Sequence, residues 1–247
     1  MKEAGCCPLN PLTGLPFGDG FPDSEDRGKN AGRSLSFICP VGTNPTNITV
    51  SNPTNVATGN KYEEVIDLSI STPGIPLEFR RSYNSQIIFD GSLGYGWTHS
   101  YDVSLGVVQT SPTIRIRIWD LDGRALYFNR VQQTSTEILF GGESGVKDRL
   151  KQVISTGEYI LRRKEENLTY KFGSDGKPLQ IVDPNGNTLT FTYSRGLLTQ
   201  VSDNFAKTIS FQHDGQNHIT SITDPNGRSI LYEYTNGDLT KVTYPDQ

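Results

Sequence analysis

The sequence predicts an all-β fold in which antiparallel hairpins repeat along the chain and build a curled sheet. The 247 residues include 11 tyrosines and 11 phenylalanines but one methionine, and aromatic and β-branched residues suit a half-buried pleated surface. Several segments of strand length alternate between apolar and polar side chains, which is the pattern of a strand with one buried face. The last third of the chain repeats itself with a period of about 20 residues.

The first clear pair of strands lies in the second quarter of the chain. Residues 62–70 predict a strand, and Pro73 ends it because proline cannot donate a ladder hydrogen bond. Residues 77–83 predict the next strand by strict alternation. One face of that strand carries Leu77, Phe79, Arg81 and Tyr83.

A hairpin is predicted further along the chain. Residues 114–119 alternate isoleucine with arginine, so we expect the isoleucines to face the core and the arginines to face water. Asp122-Gly123 suits a tight turn, and residues 125–128 form the return strand. Further short strands are predicted at residues 137–140 and 158–163.

Two copies of one four-residue motif reveal the repeat. Asp183-Pro184-Asn185-Gly186 recurs as Asp224-Pro225-Asn226-Gly227, and shorter elements show that the true period is half of this shift. Two aliphatic residues separated by two others recur at Leu179/Val182, Leu198/Val201, Ile219/Ile222 and Leu239/Val242. A unit of this length holds two short strands and two turns.

Stacking explains why such units repeat. One hairpin cannot bury its own apolar residues, whereas stacked copies form a continuous sheet that grows along the chain. The three-residue aliphatic step departs from alternation, so we expect a bulge or bend in each unit that curls the sheet. Pro and Gly in the four-residue motif suit a type I turn. Positive φ angles are expected at Asp175-Gly176, Arg195-Gly196, Asp214-Gly215 and Asn236-Gly237.

Composition divides the chain into three parts and excludes several function classes. We expect a flexible leader at residues 1–50, a β domain at 51–165 and repeats at 166–247. Lys and Arg are scattered at a net charge of -4, which argues against nucleic-acid binding. The sequence shows neither an apolar run long enough to span a bilayer nor a signal-peptide core.

No residue pattern predicts catalysis, a cofactor or a metal site. The histidines, His99, His213 and His218, lack metal-ligand spacing, and we expect His99 to pack with a satisfied ring nitrogen. The glycine-rich residues 91–96 lack the Lys-Ser/Thr of a phosphate loop and predict a turn that lets Trp97 pack. The cysteines form neither a disulfide framework nor a zinc pattern. They are Cys6, Cys7 and Cys39.

The repeat resembles a known family. The pattern Tyr-x-x-x-Gly-x-Leu-x-x-Val-x-Asp-Pro-x-Gly resembles the YD repeats of RHS proteins, wall-associated proteins and teneurins. Residues 52–61, 76–85 and 93–102 resemble the domain that precedes RHS repeats. The family-motif residues are Arg80, Tyr83, Asn84, Gly94, Gly96, Trp97, His99 and Tyr101. The resemblance covers about residues 51 to 247.

The resemblance implies a secreted or cell-surface β-shell that encloses a C-terminal toxin used in competition between bacteria. We therefore expect a non-enzymatic structural fragment of such a shell. Its expected partners are toxin cargo and, at the C-terminal edge, further RHS-repeat sequence or a partner chain. This chain carries about four repeats without the closing segment, so a closed cavity is not expected from it alone.

One alternative function depends on whether the repeated aromatic residues are buried. Exposed rings could stack on sugar rings, which would make the chain a cell-surface carbohydrate-binding or adhesion module. These residues are Phe191, Tyr193, Phe211, Tyr232 and Tyr234.

The last strand, which ends near Tyr244, is expected to present an unpaired and weakly protected edge with one gatekeeping charge, Lys241.

Overall fold

A computed structural model describes residues 49–50, 54–55, 60–87, 90–121 and 123–245. Every regular element in these residues is a β-strand, so the predicted all-β fold is confirmed. The three cysteines lie outside the described residues. The predicted leader also lies outside them, apart from Thr49 and Val50.

A small sheet and a short hairpin come first in the chain. Their strands are β1 (Thr49–Val50), β2 (Thr54–Asn55), β3 (Asn60–Ile70), β4 (Leu77–Asn84), β5 (Asp90–Gly91), β6 (Gly94–Tyr95) and β7 (Trp97–His99). The small sheet has the order β1-β2-β3-β4-β7, and β5 pairs with β6 as a separate hairpin. β3 and β4 confirm the first two predicted strands.

A second sheet of 14 strands contains the rest of the chain, and each strand pairs with its neighbour in the sequence. Its strands are β8 (Ser104–Gln109), β9 (Arg115–Trp119), β10 (Ala125–Gln133), β11 (Glu137–Gly142), β12 (Arg149–Val153), β13 (Tyr159–Arg162), β14 (Thr169–Phe172), β15 (Pro178–Val182), β16 (Thr188–Ser194), β17 (Leu197–Asp203), β18 (Thr208–His213), β19 (Ile219–Thr223), β20 (Ser229–Thr235) and β21 (Asp238–Thr243). Residue 165 lies in the turn between β13 and β14, inside this continuous sheet.

The long sheet curls back on itself. The backbone N–H of Leu105, in the first strand β8, donates to the carbonyl oxygen of Gly176 at 2.9 Å. Gly176 lies in the turn between β14 and β15, so the start of the sheet contacts a turn several strands later. The predicted curl is therefore confirmed.

Each repeat unit contains the predicted bulge. The pairing register slips by one residue next to Thr199, Thr220 and Thr240, which are skipped in the pairing of their strands. Two of these threonines cap a neighbouring backbone group, because Thr199 Oγ1 donates to Thr192 O at 3.1 Å and Thr240 Oγ1 to Glu233 O at 3.1 Å. The hydroxyl thus satisfies an acceptor beside the irregular pairing.

The aliphatic pair predicted for the first repeat, Leu179/Val182, is wrong by one residue. Leu179 is the residue skipped at that bulge, and Pro178 pairs with Phe172 instead. Consequently Pro178 and Ile181 are buried, while Leu179 and Val182 are only half-buried. A proline can take this position because its ring still packs inward.

The turns at one end of the hairpins are closed by an aspartate. In Asp183, Asp203, Asp214 and Asp224, Oδ1 accepts the backbone N–H groups two and four residues later. At Asp183 a further bond from Gly186 N to Asp183 O, at 3.1 Å, fits the predicted type I turn. The expected positive φ at Gly215 is wrong, because this loop places Asn217 in the left-handed region with φ 74.

The outward arginines of β9 are not simply solvated. The Arg115 guanidinium lies 4.0 Å from the centre of the Tyr127 ring, and that of Arg117 lies 4.7 Å from Trp119. Ile116 and Ile118 are fully buried, as predicted. The expected inside and outside faces are therefore correct, but the outer face is an arginine–aromatic layer.

Candidate functional site

Most of the predicted family-motif and aromatic residues converge where the small sheet packs on the long sheet. We call this contact surface the seam, formed by β3, β4, β7 and the β5–β6 hairpin against β16–β21. Buried apolar residues of both sheets belong to a single core cluster there. The seam is therefore the natural candidate for a functional site.

A buried ion pair lies in the seam. Arg81 Nε donates to Asp67 Oδ2 at 2.6 Å, with the Arg81 side chain 9% exposed and the Asp67 side chain 0% exposed. The hydroxyls of Tyr232 and Tyr244 donate to the same carboxylate at 2.7 and 2.6 Å. Burial lowers the pKa of Arg81, but Asp67 outweighs it and the net shift is upward. The carboxylate is thus fully partnered, as a buried charge requires.

A bulge in β3 directs Asp67 into the core. Ile66 pairs with Arg80 and Leu68 with Phe79, so Asp67 is the extra residue between them. Sequence alternation placed Arg81 on the same face as Leu77 and Phe79 but could not identify Asp67 as its partner, because the bulge reverses the local alternation. The Arg81 guanidinium also lies 4.7 Å from the Trp97 ring centre.

An aromatic cluster fills the middle of the seam. Phe79, fully buried in β4, lies 5.0 Å from His99 and 5.8 Å from Phe211, between ring centres. Tyr101 contacts Phe191 edge to face at 5.7 Å. His99 Nδ1 accepts the backbone N–H of Tyr101 at 3.1 Å, and burial lowers the pKa of His99 to about 3. His99 is therefore a neutral packing residue.

The repeat tyrosines Tyr193 and Tyr234 have equivalent positions. Each is half-buried, and each hydroxyl donates to a carbonyl oxygen fifteen residues earlier. The acceptors are Pro178 at 3.0 Å and Ile219 at 2.7 Å. Burial raises the pKa of both tyrosines. Phe191, Phe211 and Tyr232 are at most 5% exposed.

The β5–β6 hairpin covers the start of the last repeat strand. Tyr95 N donates to Gly237 O at 3.1 Å, and Ile219 N donates to Ser92 O at 2.7 Å. Gly94 has φ 80, and a Cβ there would collide with the Gly237 carbonyl. The expectation of an unprotected last strand is therefore wrong at the beginning of β21.

The remaining motif residues shape the small sheet. Trp97 packs on Tyr83 at 5.1 Å between ring centres, and Gly96 leaves room for the Tyr83 ring. Asn84 is buried, and its Oδ1 accepts the backbone N–H of Gln86 at 3.0 Å. Arg80 lies outside the seam, paired with Glu78 at 2.7 Å.

His218 joins the hairpin to the repeats and was not recognised as important from the sequence. Its ring is buried, stacks on Tyr234 at 4.6 Å, and has Nε2 2.8 Å from Asp90 Oδ1 and Nδ1 3.3 Å from Asp214 Oδ2. One signal in the sequence is that His218 follows a turn aspartate by four residues. In two other turns the residue at this position, Asn187 or Arg228, binds the aspartate of its own turn. Across the described ranges, no His, Cys, Asp and Glu side chains group as metal ligands.

Two family models match this chain. A domain of unknown function, DUF6531, matches residues 51–128, and the RHS Repeat matches residues 213–247. The chain therefore contains an RHS repeat in its last segment. The seam joins these two RHS-associated segments, because β3, β4 and β7 lie in the first match and β19–β21 lie in the second.

Curated relatives of this chain share one name. It is similar to the tRNA nuclease WapA of Bacillus subtilis strain 168 and to the tRNA3(Ser)-specific nuclease WapA of Bacillus spizizenii. In each case the identity is 30% over 145 residues, which is 57% of this chain and 6% of the relative. The chain thus spans only a small part of these relatives. In its described part, no helix combines the length and apolarity needed to cross a membrane.

Proposed function

We propose that this chain is a non-enzymatic structural part of a toxin-associated RHS protein, in which the small sheet anchors the first turn of a curled β-wall. The observation that carries the proposal is the single buried core that continues from the small sheet through all the repeats. A chain whose motif residues are committed to packing has few groups left to react with a substrate. The wall, once extended, encloses toxin cargo, and the protein acts outside the cytoplasm or on the cell surface.

The relatives named as tRNA nucleases support the toxin association. They match this chain along only 6% of their own length. We propose that catalysis in such proteins belongs to sequence outside the matched part, and that this chain contributes support alone. Among the described strands β21 pairs with β20 only, so further repeats would extend the wall from β21.

Burial argues against the glycan-binding alternative. Stacking on a sugar needs an exposed ring face, and the five candidate aromatic residues are buried or half-buried in the seam. Two of them also have their hydroxyls bonded to backbone carbonyls. A glycan array probed with the purified chain is expected to show no binding, and a reproducible sugar signal would restore the adhesin hypothesis.

Two experiments test the proposal directly. Incubation of the purified chain with total bacterial tRNA is expected to leave the tRNA intact beside a ribonuclease control. Nuclease activity that follows the chain through every purification step would contradict the structural role.

Antibodies against this chain should also capture an endogenous polypeptide whose peptides include further repeats and a toxin domain. An endogenous polypeptide without any toxin sequence would contradict the toxin association.

A further inference from the structure

We propose that a cleft between the small sheet and the first half of the long sheet binds a short aliphatic chain ending in an ammonium group, either a lysine side chain or a free diamine. The cleft has a volume of about 470 Å³, which lies within the range of small-ligand sites. It is lined by β3 and β4 on one side and by the β9–β10 turn and β14–β15 on the other. The proposal does not depend on the shell function.

Apolar side chains form part of the lining of the cleft. Ile75, Leu121, Leu168 and Ile181 line it together with the ring of Tyr101. Ile181 and Tyr101 belong to the buried core, while the other three are half-buried. Such a lining stabilises a methylene chain by removing its apolar surface from water.

Carboxylates outnumber cations among the residues that line the cleft. Glu64, Glu78 and Glu166 line the cleft with Arg80, and Arg80 lies 2.7 Å from Glu78 and 3.8 Å from Glu64. Asp120 is already bound by Arg163 and Arg124. Arg80 thus pairs with two of the three glutamates and, within the described residues, Glu166 has no ion pair. The excess of carboxylates favours a cationic ligand and disfavours an anionic one.

Glu166 is the carboxylate best placed to receive the ammonium. Within the described residues its hydrogen bonding is limited to a long contact of 3.4 Å from the Tyr170 hydroxyl, and no basic side chain forms an ion pair with it. Burial raises the pKa of Glu166, more than the nearby Arg163 lowers it. A bound ammonium would compensate this partly desolvated charge.

A second, independent observation points to a ligand. Tyr101 lines the cleft at 5% exposure. In the described structure its hydroxyl lies near the backbone N–H of Glu78 but forms no well-aligned hydrogen bond. Buried polar groups are nearly always bonded, so an unpartnered one needs an explanation. An ammonium carries three donors, and can therefore serve this hydroxyl oxygen as well as a carboxylate.

Methyl-detected NMR of the full chain tests the site. Titration with 1,5-diaminopentane is expected to give saturable shifts at the methyl groups of Ile75, Leu168 and Ile181. The uncharged 1,5-pentanediol is expected to bind at least about tenfold more weakly, the factor expected for one lost charge-assisted bond. Absence of saturable shifts, shifts confined to other methyl groups, or equal binding of the diol would overturn the proposal.

Two matched variants locate the charge. Glu166→Gln keeps the shape and removes the charge, and is expected to weaken diamine binding about tenfold. The neighbouring Glu165→Gln, whose side chain is 80% exposed and outside the cleft, is expected to leave binding unchanged. Unchanged methyl spectra of the free variants verify folding. Equal loss in both variants, or loss in neither, would overturn the site. Tighter binding of Nα-acetyl-lysine amide, which keeps its side-chain ammonium, than of the diamine would assign the ammonium to a polypeptide.

Discussion

The carboxylate of Asp67 and the guanidinium of Arg81 are 2.6 Å apart, with the Asp67 side chain fully buried and the Arg81 side chain 9% exposed. Two tyrosine hydroxyls from the last repeat complete the shell of the carboxylate. The pair thus connects the domain before the repeats with strands more than 160 residues later. Because a buried charge is stable only with its partner, this relationship makes the seam sensitive to single substitutions.

Asp67→Asn is expected to destabilise the chain by about 3–5 kcal/mol, because Arg81 would remain buried without a counter-charge. Urea denaturation measures the loss. The control is Glu137→Gln, which breaks the half-exposed pair with Lys151 at 2.6 Å and is expected to cost less than about 1 kcal/mol. Adding Arg81→Met to Asp67→Asn should recover part of the stability. If Asp67→Asn costs no more than the control, the ion pair does not anchor the seam.

Tyr193→Phe and Tyr234→Phe are each expected to cost about 1 kcal/mol, since each removes a hydroxyl that serves a backbone carbonyl. The two sites lie in different repeats, so their effects should add in the double variant. Tyr95→Phe, on a 44% exposed ring, is the control and should change little. Unequal effects at the two repeat positions would show that the units are not equivalent.

His99 should make the chain less stable as the pH falls below about 6.5. Burial lowers its pKa from 6.5 to about 3, so between these values the unfolded chain binds a proton that the folded chain does not. The expected contribution is about 1.4 kcal/mol per pH unit within that window. The slope should shrink in His99→Asn, measured as the free energy of unfolding between pH 7 and 4.5. An identical slope in wild type and variant would contradict the burial of a neutral ring.

Asp102 should act in the opposite direction. Burial raises its pKa from 3.8 to about 7, so its contribution to stability is present below pH 3.8 and is lost as the pH rises towards 7. Asp102→Asn should therefore remove a decline in stability on the way to neutral pH. Comparing this variant with His99→Asn separates two slopes that partly cancel in the wild type. A variant that declines as steeply as the wild type would show that Asp102 is ionised in the folded chain.

Local features of the fold could be predicted from the sequence, and long-range contacts could not. The three-residue step at Leu198/Val201 predicted a bulge correctly, because only an extra residue returns both side chains to one face. The search for such aliphatic pairs placed the first unit one residue too late. It overlooked Pro178, whose ring packs in the position that an aliphatic side chain takes in the other units. Gly215 was misjudged because the Asp214 side chain, and not the dipeptide, determines the loop.

The candidate site could be predicted only in part. Alternation put Arg81 and Phe79 on one face of their strand, and the repeat pattern singled out Tyr232. The link from Asp67 to Tyr232 spans 165 residues, and no local pattern encodes such a contact. The role of the β5–β6 hairpin was hidden for the same reason, because the glycines that permit its approach to β21 predict only a turn.

Gly94→Ala is expected to separate the β5–β6 hairpin from the last repeat. Gly94 has φ 80, which alanine adopts with strain, and the new Cβ would collide with the Gly237 carbonyl that accepts the Tyr95 N–H. The expected cost is about 2 kcal/mol or more, since strain and a lost backbone hydrogen bond combine. Gly106→Ala is the matched control, because a Cβ there meets nothing within 4 Å. Hydrogen exchange should then accelerate at Tyr95 and Ile219, whose amides bond across this contact, while amides of β16 keep their protection. Equal exchange at Tyr95 and Ile219 in both variants would show that Gly94 is not needed to hold the hairpin against the last repeats.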